Sequence, residues 1–373
     1  MIYGFLKKPH GSYGMKNNFY LLKKFWKNKK VFLTGHTGFK GSWFSILLNL
    51  LGAKVVGYSL RPEAKKNLFD LANLDKQIHH SIIGDIRDYN KLKKSILKFS
   101  PDFVVHMAAQ PLVRYSYEHP KYTYEVNTLG TVNILNILNE LNFIKSALII
   151  TTDKVYFNNN KKSYYNENDR LGGLDPYSNS KSCAELVVDS YNHSFFRKKK
   201  IFIATARAGN VVGGGDFSVD RVFPDYFRSL SSKNKNLFLR SPNSVRPWQF
   251  IIDPLYGYLL LLMKLHKKKR FQEYCWNFGP EKSNNKSVGY VVNLMNKEFN
   301  NSVKVIKKNN NSKNYYESKL LMLNSEKSKK TLNWKTRCNL NKSIKLISYW
   351  HKNFLMNRSV LKICQEQIFN YFK

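Results

Sequence analysis

The chain has 373 residues, 43% of them hydrophobic and 14% aromatic, with 62 Lys and Arg against 25 Asp and Glu and a formal charge of +37. That length and apolar content exclude a disordered or fibrous chain and allow a large core with room for two lobes. The four cysteines, Cys183, Cys275, Cys338 and Cys364, lie far apart, which argues against a metal site or disulfide framework and for a reducing cytoplasm; no apolar run reaches the roughly 18–20 residues of a membrane span.

The positive charge recurs in many Lys-rich pieces, such as Lys23–Lys30 and Lys91–Lys98, with Asn frequent around them. A nucleic-acid surface would cluster it. Neither nucleic acid nor membrane is therefore expected as a partner, although a positive surface still attracts an anionic nucleotide.

Met1 to about Gly14 match no element, and residues 1–28 are expected to form an extension outside the fold. Val31–Thr34 reads as the first strand. It breaks at Gly35, Gly38 and Gly41 complete G-x-x-G-x-x-G, and a helical pattern runs from Ser42 to Leu51. Strand, glycine turn and helix make a phosphate cradle, because glycine lets the backbone approach a pyrophosphate and the helix start offers free N–H groups. The spacing differs from the commoner G-x-G-x-x-G.

Further strands are expected at Lys54–Tyr58, Ile78–Ile83, Phe103–Met107, Ala147–Thr151 and Ile201–Ala206, and helices after Asp88, over about 122–141 and over about 177–196. Strands alternating with helices imply an α/β fold with a doubly wound, Rossmann-type parallel sheet that binds ligands at its strand C-termini. Beyond Gly213 the alternation fails. The expected division is a dinucleotide-binding domain over 29–212, a substrate lobe over 213–350 with a segment near 250–280 returning to the main domain, and a tail over 351–373.

Two stretches carry chemistry. In Tyr177-Ser178-Asn179-Ser180-Lys181 the first and last residues share a helix face, so the ammonium can approach the phenol, favour phenolate and lower its pKa from about 10. Tyr177 would then serve as a base for a substrate hydroxyl; the bland alternative is a Lys stem lying on an exposed Tyr ring. Thr151-Thr152-Asp153-Lys154 ends the fifth strand, where a hydroxyl, a carboxyl and an amine meet the ligand crevice, or where Asp153 merely makes an Asx-turn.

With T-G-H-T-G-F-K-G-S-W (34–43), G-D-I-R-D (84–88), H-M-A-A-Q-P-L-V-R (106–114), N-T-L-G-T (127–131), T-T-D-K-V-Y (151–156), L-G-G-L-D-P-Y-S-N-S-K (171–181), A-R-A-G-N-V-V-G-G-G-D (206–216), V-R-P-W-Q (245–249) and W-N-F-G-P (276–280), the chain resembles the extended short-chain dehydrogenases/reductases that act on nucleotide sugars. Within them it is similar to the CDP-glucose 4,6-dehydratases of the NAD-dependent epimerase/dehydratase family. His36, Lys40, Trp43, the A-A-Q-P-L-V-R run (108–114) and the Asp153-Lys154 pair carry the finer likeness, since the dTDP-glucose enzymes have Asp-Glu at the last place.

The resemblance implies NAD held by Gly35, Gly38, Phe39 and Gly41 at the pyrophosphate, by Asp85 and Ile86 at the adenine, and by Ala108, Ala109, Gln110, Tyr177 and Lys181. It implies CDP-glucose as substrate, with Thr152 at the sugar 4-hydroxyl, Tyr177 as base, Lys181 tuning it, Asp153 protonating the leaving C6 hydroxyl and Lys154 handling the C5 proton. Asn210, Arg221 and Arg246 fall where relatives grip the diphosphate, no metal is called for, and a homodimer or higher homo-oligomer would form through the helices near 122–141 and 177–196. Ser59, Leu60 and Arg61 stand where NAD-specific folds usually carry an acid, so NADP stays open. The alternatives are a dTDP- or UDP-sugar 4,6-dehydratase or 4-epimerase, and, further off, a non-catalytic nucleotide-sensing or nucleic-acid-binding protein on the same scaffold.

Overall fold

A computed structural model describes residues 12–141, 143–144, 146–158, 163–267, 273–307 and 320–373. The apolar runs become strands β1 (Lys30–Thr34), β2 (Lys54–Ser59), β3 (His80–Ile83), β4 (Phe103–His106), β5 (Ser146–Ile150) and β6 (Phe202–Ala208). Three shorter strands follow, β7 (Asn210–Val212), β8 (Asn236–Leu239) and β9 (Val245–Phe250), and then β10 (Cys275–Phe278), β11 (Asn285–Ser287) and β12 (Lys304–Lys307). The main sheet is wholly parallel in the order β10-β6-β5-β4-β1-β2-β3. Its strand order reverses between β1 and β4, so the crevice opens at their C-terminal ends, at Gly35 and Ala108. β1, β4 and β5 are buried on both faces, as a sheet covered by helices on each side requires.

The helices start where their sequences allow. Asp88 caps Tyr89–Phe99 by accepting from the Lys91 N–H at 3.0 Å, and left-handed Ser100 (φ 49°) ends it before Pro101. Asp175 caps Pro176–Tyr191 through the Ser178 N–H at 2.9 Å, with Pro176 in the first turn, and this sets Tyr177 at the start of that helix. The helix expected near 122–141 runs over 120–140, but its turn Glu125–Leu129 is a π-helix.

Both termini correct the expected division. Residues 12–28 do not lie outside the fold: Ser12–Trp26 is a helix, Leu22 and Trp26 are in the main core, and the Trp26 ring lies 4.9 Å from that of Phe103 on β4. Residues 1–11 fall outside the described residues. Nor is 351–373 a tail. Helix Leu340–Leu355 continues through its start, and helix Val360–Phe372 packs on Phe39–Leu50, with Phe372 meeting Phe19 at 5.3 Å. Apolar stripes on both segments drive this docking.

After β7 the chain forms a three-stranded sheet β11-β9-β7 and the pair β12-β8. Helix Ile252–Lys267 lies against β5 and β6, and β10 completes the edge of the main sheet. The glycine triplet after β7 is clamped: Trp43 donates to the Gly214 carbonyl at 2.9 Å, and a Cβ on Gly214 would meet the Trp350 ring at 2.0 Å.

Candidate active site

The glycine turn is shaped by close backbone approach. Gly35 has φ +77°, and a Cβ there would lie 2.6 Å from the Ala108 nitrogen; one on Gly41 would lie 2.0 Å from the Gly35 carbonyl oxygen. Helix Phe39–Leu50 starts at Gly38 without a side-chain cap, so its first N–H groups face the crevice. This is a cradle that fits a pyrophosphate. Phe39 is half-buried beside Gly213.

The residues expected at the far ends of the cofactor are differently committed. The Asp85 carboxylate takes four bonds from Arg87, one of them a 2.7 Å ion pair, and they hold it below the usual carboxylate range; Arg87 also reaches Glu125 at 2.9 Å. Ile86 is buried against Gly130, and its carbonyl accepts from Asn133. Gln110 spends its side chain on Thr123 (2.9 Å) and on the Leu112 N–H (2.6 Å), which leaves Ala108 and Ala109 to line the crevice. At the end of β2 the Ser59 and Thr37 hydroxyls pair at 2.9 Å, and Arg61 is exposed.

The catalytic candidates converge. The Thr152 hydroxyl donates to Asp153 at 2.9 Å and faces the Tyr177 phenol, so phenol, hydroxyl and carboxyl gather at the end of β5. Asp153 is buried, and burial pushes its carboxyl above the usual range, against the pull of Lys154, Thr152, Lys40 and Arg246. Gly209 leaves room for it, because a Cβ there would come within 2.8 Å of an Asp153 carboxyl oxygen. Arg221 and Arg246 arrive from the later loops: Arg221 pairs with Asp216 at 3.4 Å and acts on Tyr177, while Arg246 acts on Asp153. Asn210 opens β7 next to Gly209, in register with Trp248 of β9.

One expected contact is absent. Lys181 is buried, but its Nζ donates to the Ile150 carbonyl at 3.0 Å, and the groups acting on the phenol are Thr152, Asp153, Arg221 and Asp175. The phenol is therefore not lowered; burial pushes it up to about 12. A buried ammonium needs an acceptor, and the Ile150 carbonyl at the end of β5 supplies one.

Two contributors went unassigned in the sequence reading. Lys40, in the first turn of the glycine-loop helix, faces Asp153, Arg221 and Lys181, and burial brings its amine down to about 8. Its place in T-G-H-T-G-F-K-G was visible, its burial was not. Asn127, in the π-helical turn, bonds the Gln110 N–H at 2.8 Å and the Ser180 hydroxyl at 3.0 Å, tying the turn after β4 to the tyrosine helix. Inserted π turns often mark such sites.

A doubly wound sheet with this cradle at its switch point and a Tyr-x-x-x-Lys helix alongside defines an extended short-chain dehydrogenase/reductase. The family described as GDP-mannose 4,6 dehydratase matches residues 32–347, and the chain belongs to it. The chain is 40% identical over 354 residues to the CDP-glucose 4,6-dehydratase of Salmonella typhimurium, covering 94% of this chain and 98% of that one. It is 26% identical over 249 residues to the dTDP-D-glucose 4,6-dehydratase of Dictyostelium discoideum, 63% of this chain and 56% of the other. Among solved structures, Thermotoga maritima UDP-glucose 4-epimerase with UDP-glucose (TM-score 0.75, 19% identity, 87% of this chain and 99% of that one) has the same fold. So does Bacillus anthracis dTDP-glucose 4,6-dehydratase in complex with NAD (TM-score 0.71, 19% identity, 87% and 97%).

Proposed function

We propose that the chain is a CDP-glucose 4,6-dehydratase, converting CDP-D-glucose to CDP-4-dehydro-6-deoxy-D-glucose and water with NAD as cofactor. The observation that carries the reading is the buried Asp153 carboxyl, biased toward its protonated form beside a hydroxyl and a phenol that can handle the sugar's 4-hydroxyl. A 4-epimerase needs no acid at C6. The choice of cytidine rests on the 40% identity with the Salmonella enzyme along nearly its whole length.

The cradle of Gly35, Gly38, Phe39 and Gly41 would hold the cofactor's pyrophosphate, Asp85 and Ile86 would border its adenine, and Ala108, Ala109, Tyr177 and Lys181 would line its other half, with the Gln110 side chain fixing the turn that carries the two alanines. When bound, NAD supplies a positive ring charge and a reversible hydride acceptor, so the overall reaction needs no external oxidant. Tyr177 would take the proton of the C4 hydroxyl as phenolate, a form that burial disfavours in the protein alone and that the positive ring charge of the bound cofactor would favour, with Thr152 holding that hydroxyl in line. Once C4 is a ketone the C5 proton is acidic, and Lys154 removes it. Asp153 gives its proton to the departing C6 hydroxyl. Asn210, Arg221 and Arg246 orient the diphosphate, a task suited to the arginine fork. Burial of Asp153, Tyr177 and Lys181 keeps bulk water from these transfers.

A second copy of the chain is proposed to cover the turn Glu125–Leu129 with the helix Gly130–Glu140 that continues it and the helix Pro176–Tyr191, where Leu129 and Leu186 are each more than half exposed. The four free cysteines suit a cytoplasmic location.

The test is incubation of the purified protein with CDP-glucose, dTDP-glucose or UDP-glucose, with and without NAD. Loss of one water from CDP-glucose alone, read by mass spectrometry and by the alkali-induced absorbance of a 4-keto-6-deoxy sugar, is expected. Loss from another nucleotide sugar would move the specificity. A product of unchanged mass would replace the dehydratase reading with an epimerase.

A further inference from the structure

We propose that Glu185 and Arg207, which do not touch the reacting groups, are positioning residues for the elimination site, acting through the Thr151 hydroxyl beneath the Thr152–Lys154 turn and through the Lys181 ammonium; the proposal rests on the dehydratase reading above. Helix Pro176–Tyr191 carries Tyr177, Lys181 and Glu185 at successive i+4 positions, so Glu185 lies one turn below Lys181 on the face that meets the sheet.

Glu185 is 1% exposed and both its oxygens are saturated. One accepts from the Thr151 hydroxyl and from Arg207 Nε at 3.0 Å, the other from the Thr205 hydroxyl at 2.7 Å and from Arg207 Nη2 at 2.8 Å. Arg207 spends its last nitrogen on the Tyr156 hydroxyl (2.8 Å) and the Glu167 carbonyl (2.9 Å). Burial pushes the Glu185 carboxyl up, but Arg207 and the two threonine hydroxyls more than offset this and hold it ionised.

A buried ion pair of this kind is weak evidence for stability, since an apolar replacement of the same shape is often as stable. What this one fixes is location. Thr151 is the residue on which β5 passes into the turn; its N–H bonds the Ala206 carbonyl at 3.0 Å and its side chain is anchored on Glu185. The backbone direction at Thr151 then sets where Thr152 and Asp153 point.

The second arm is electrostatic. Lys40 from the glycine-loop helix, the His106 ring from β4 and Glu185 face the Lys181 ammonium, and of these only Glu185 is negative. Burial and then Lys40 bring the Lys181 amine down to about 8, and Glu185 opposes them. Without Glu185 the amine loses its proton at lower pH.

Thr151→Val cuts the tie and leaves the ion pair whole. Misplacing reacting groups by about 1 Å can cost about 10²-fold, so kcat for water loss is expected to fall by about 10- to 100-fold with KM nearly unchanged. Hydrogen exchange of the Lys154 and Val155 amides should quicken, the melting temperature should hold, and Thr151→Ser should restore both exchange and kcat. In Glu185→Gln the limb set by the Lys181 amine, the one that persists in Asp153→Asn, should move to lower pH; should that variant misfold with Arg207 unpaired, Thr151→Val decides alone. Wild-type kcat and wild-type exchange in Thr151→Val overturn the proposal, and an unmoved Lys181 limb in folded Glu185→Gln overturns its electrostatic arm. A wild-type protein that dehydrates no nucleotide sugar sinks the functional reading instead, and the exchange measurement, which needs no substrate, still decides whether the pair positions the turn.

Discussion

Asp153→Asn removes one titratable proton and almost no volume. The amide oxygen can keep the 2.9 Å bond from Thr152, and the outline packed against Gly209 is unchanged, so the variant should fold. It loses a carboxyl that burial biases toward protonation although Lys154, Lys40 and Arg246 all pull the other way. A positioned general acid is worth about 10²–10⁴-fold, or about 3–5 kcal/mol of barrier, and that is the expected loss in the rate of water release. The assay follows CDP-glucose by mass spectrometry in deuterated water, counting water loss and exchange at C5 separately. Asp153→Asn should go on exchanging the C5 proton while water loss collapses, and Lys154→Ala should lose the exchange. The sign with pH follows from the raised carboxyl: the proton is retained to higher pH than on a free Asp, so the wild-type rate falls as it ionises, and the Asn variant lacks that step and keeps only the limb set by the Lys181 amine. Water loss within about threefold of wild type in Asp153→Asn, below any general-acid effect, would refute the assignment.

Tyr177→Phe keeps the buried ring and removes the phenol; conversion should fall by at least about 10²-fold at an unchanged melting temperature, and a near-wild-type rate would take the base role away from Tyr177. Gly41→Ala places a Cβ 2.0 Å from the Gly35 carbonyl oxygen, so NAD binding by calorimetry should be lost or greatly weakened. Trp26→Ala empties a fully buried site against Phe103 and should cost about 3–5 kcal/mol in denaturant unfolding; no change would return residues 12–28 to the status of an extension. Burial holds the Asp253 carboxyl at about 7 against an ordinary 3.8, although the Arg337 N–H and the Tyr371 hydroxyl favour its ionisation. The unfolded chain therefore gives up this proton first as pH rises, and stability falls between about 4 and about 7 and levels off above. Asp253→Asn should remove that slope from melting curves taken across the window.

What the sequence made legible was local. The apolar strands, the G-x-x-G-x-x-G turn and the Asp88 cap each carry their cause within a few residues, and six of the seven strands of the main sheet follow from such local signals with ends shifted by a residue or two, whereas β10, which joins the edge from a remote part of the chain, was not read as a strand. The terminal helices did not announce themselves, because what holds them is remote. Leu22 and Trp26 sit among lysines that blur their stripe, and Ile363, Cys364 and Ile368 bury against a core formed hundreds of residues earlier. The π turn at Asn127 is invisible for another reason, since an added residue in a helix leaves no mark in the local pattern beyond a phase shift.

The same distinction governs the site. Spacing placed Tyr177 and Lys181 on one face, which is correct, but a shared face does not decide which acceptor a buried ammonium takes. The Ile150 carbonyl takes it, and β5 comes from another part of the chain. The proton affinity of Tyr177 is left first to burial, then to Thr152 and Asp153 after β5, to Arg221 from the loop beyond the glycine triplet, and to its own helix cap Asp175. Lys40 reaches the same ground from the glycine-loop helix. A pair that reads as self-contained in sequence is thus set by burial and by charges that only the sheet's winding brings together, and Arg221→Gln should move the pH profile of Tyr177 chemistry to higher pH, since the guanidinium favours phenolate; an unmoved profile would show that burial alone sets it.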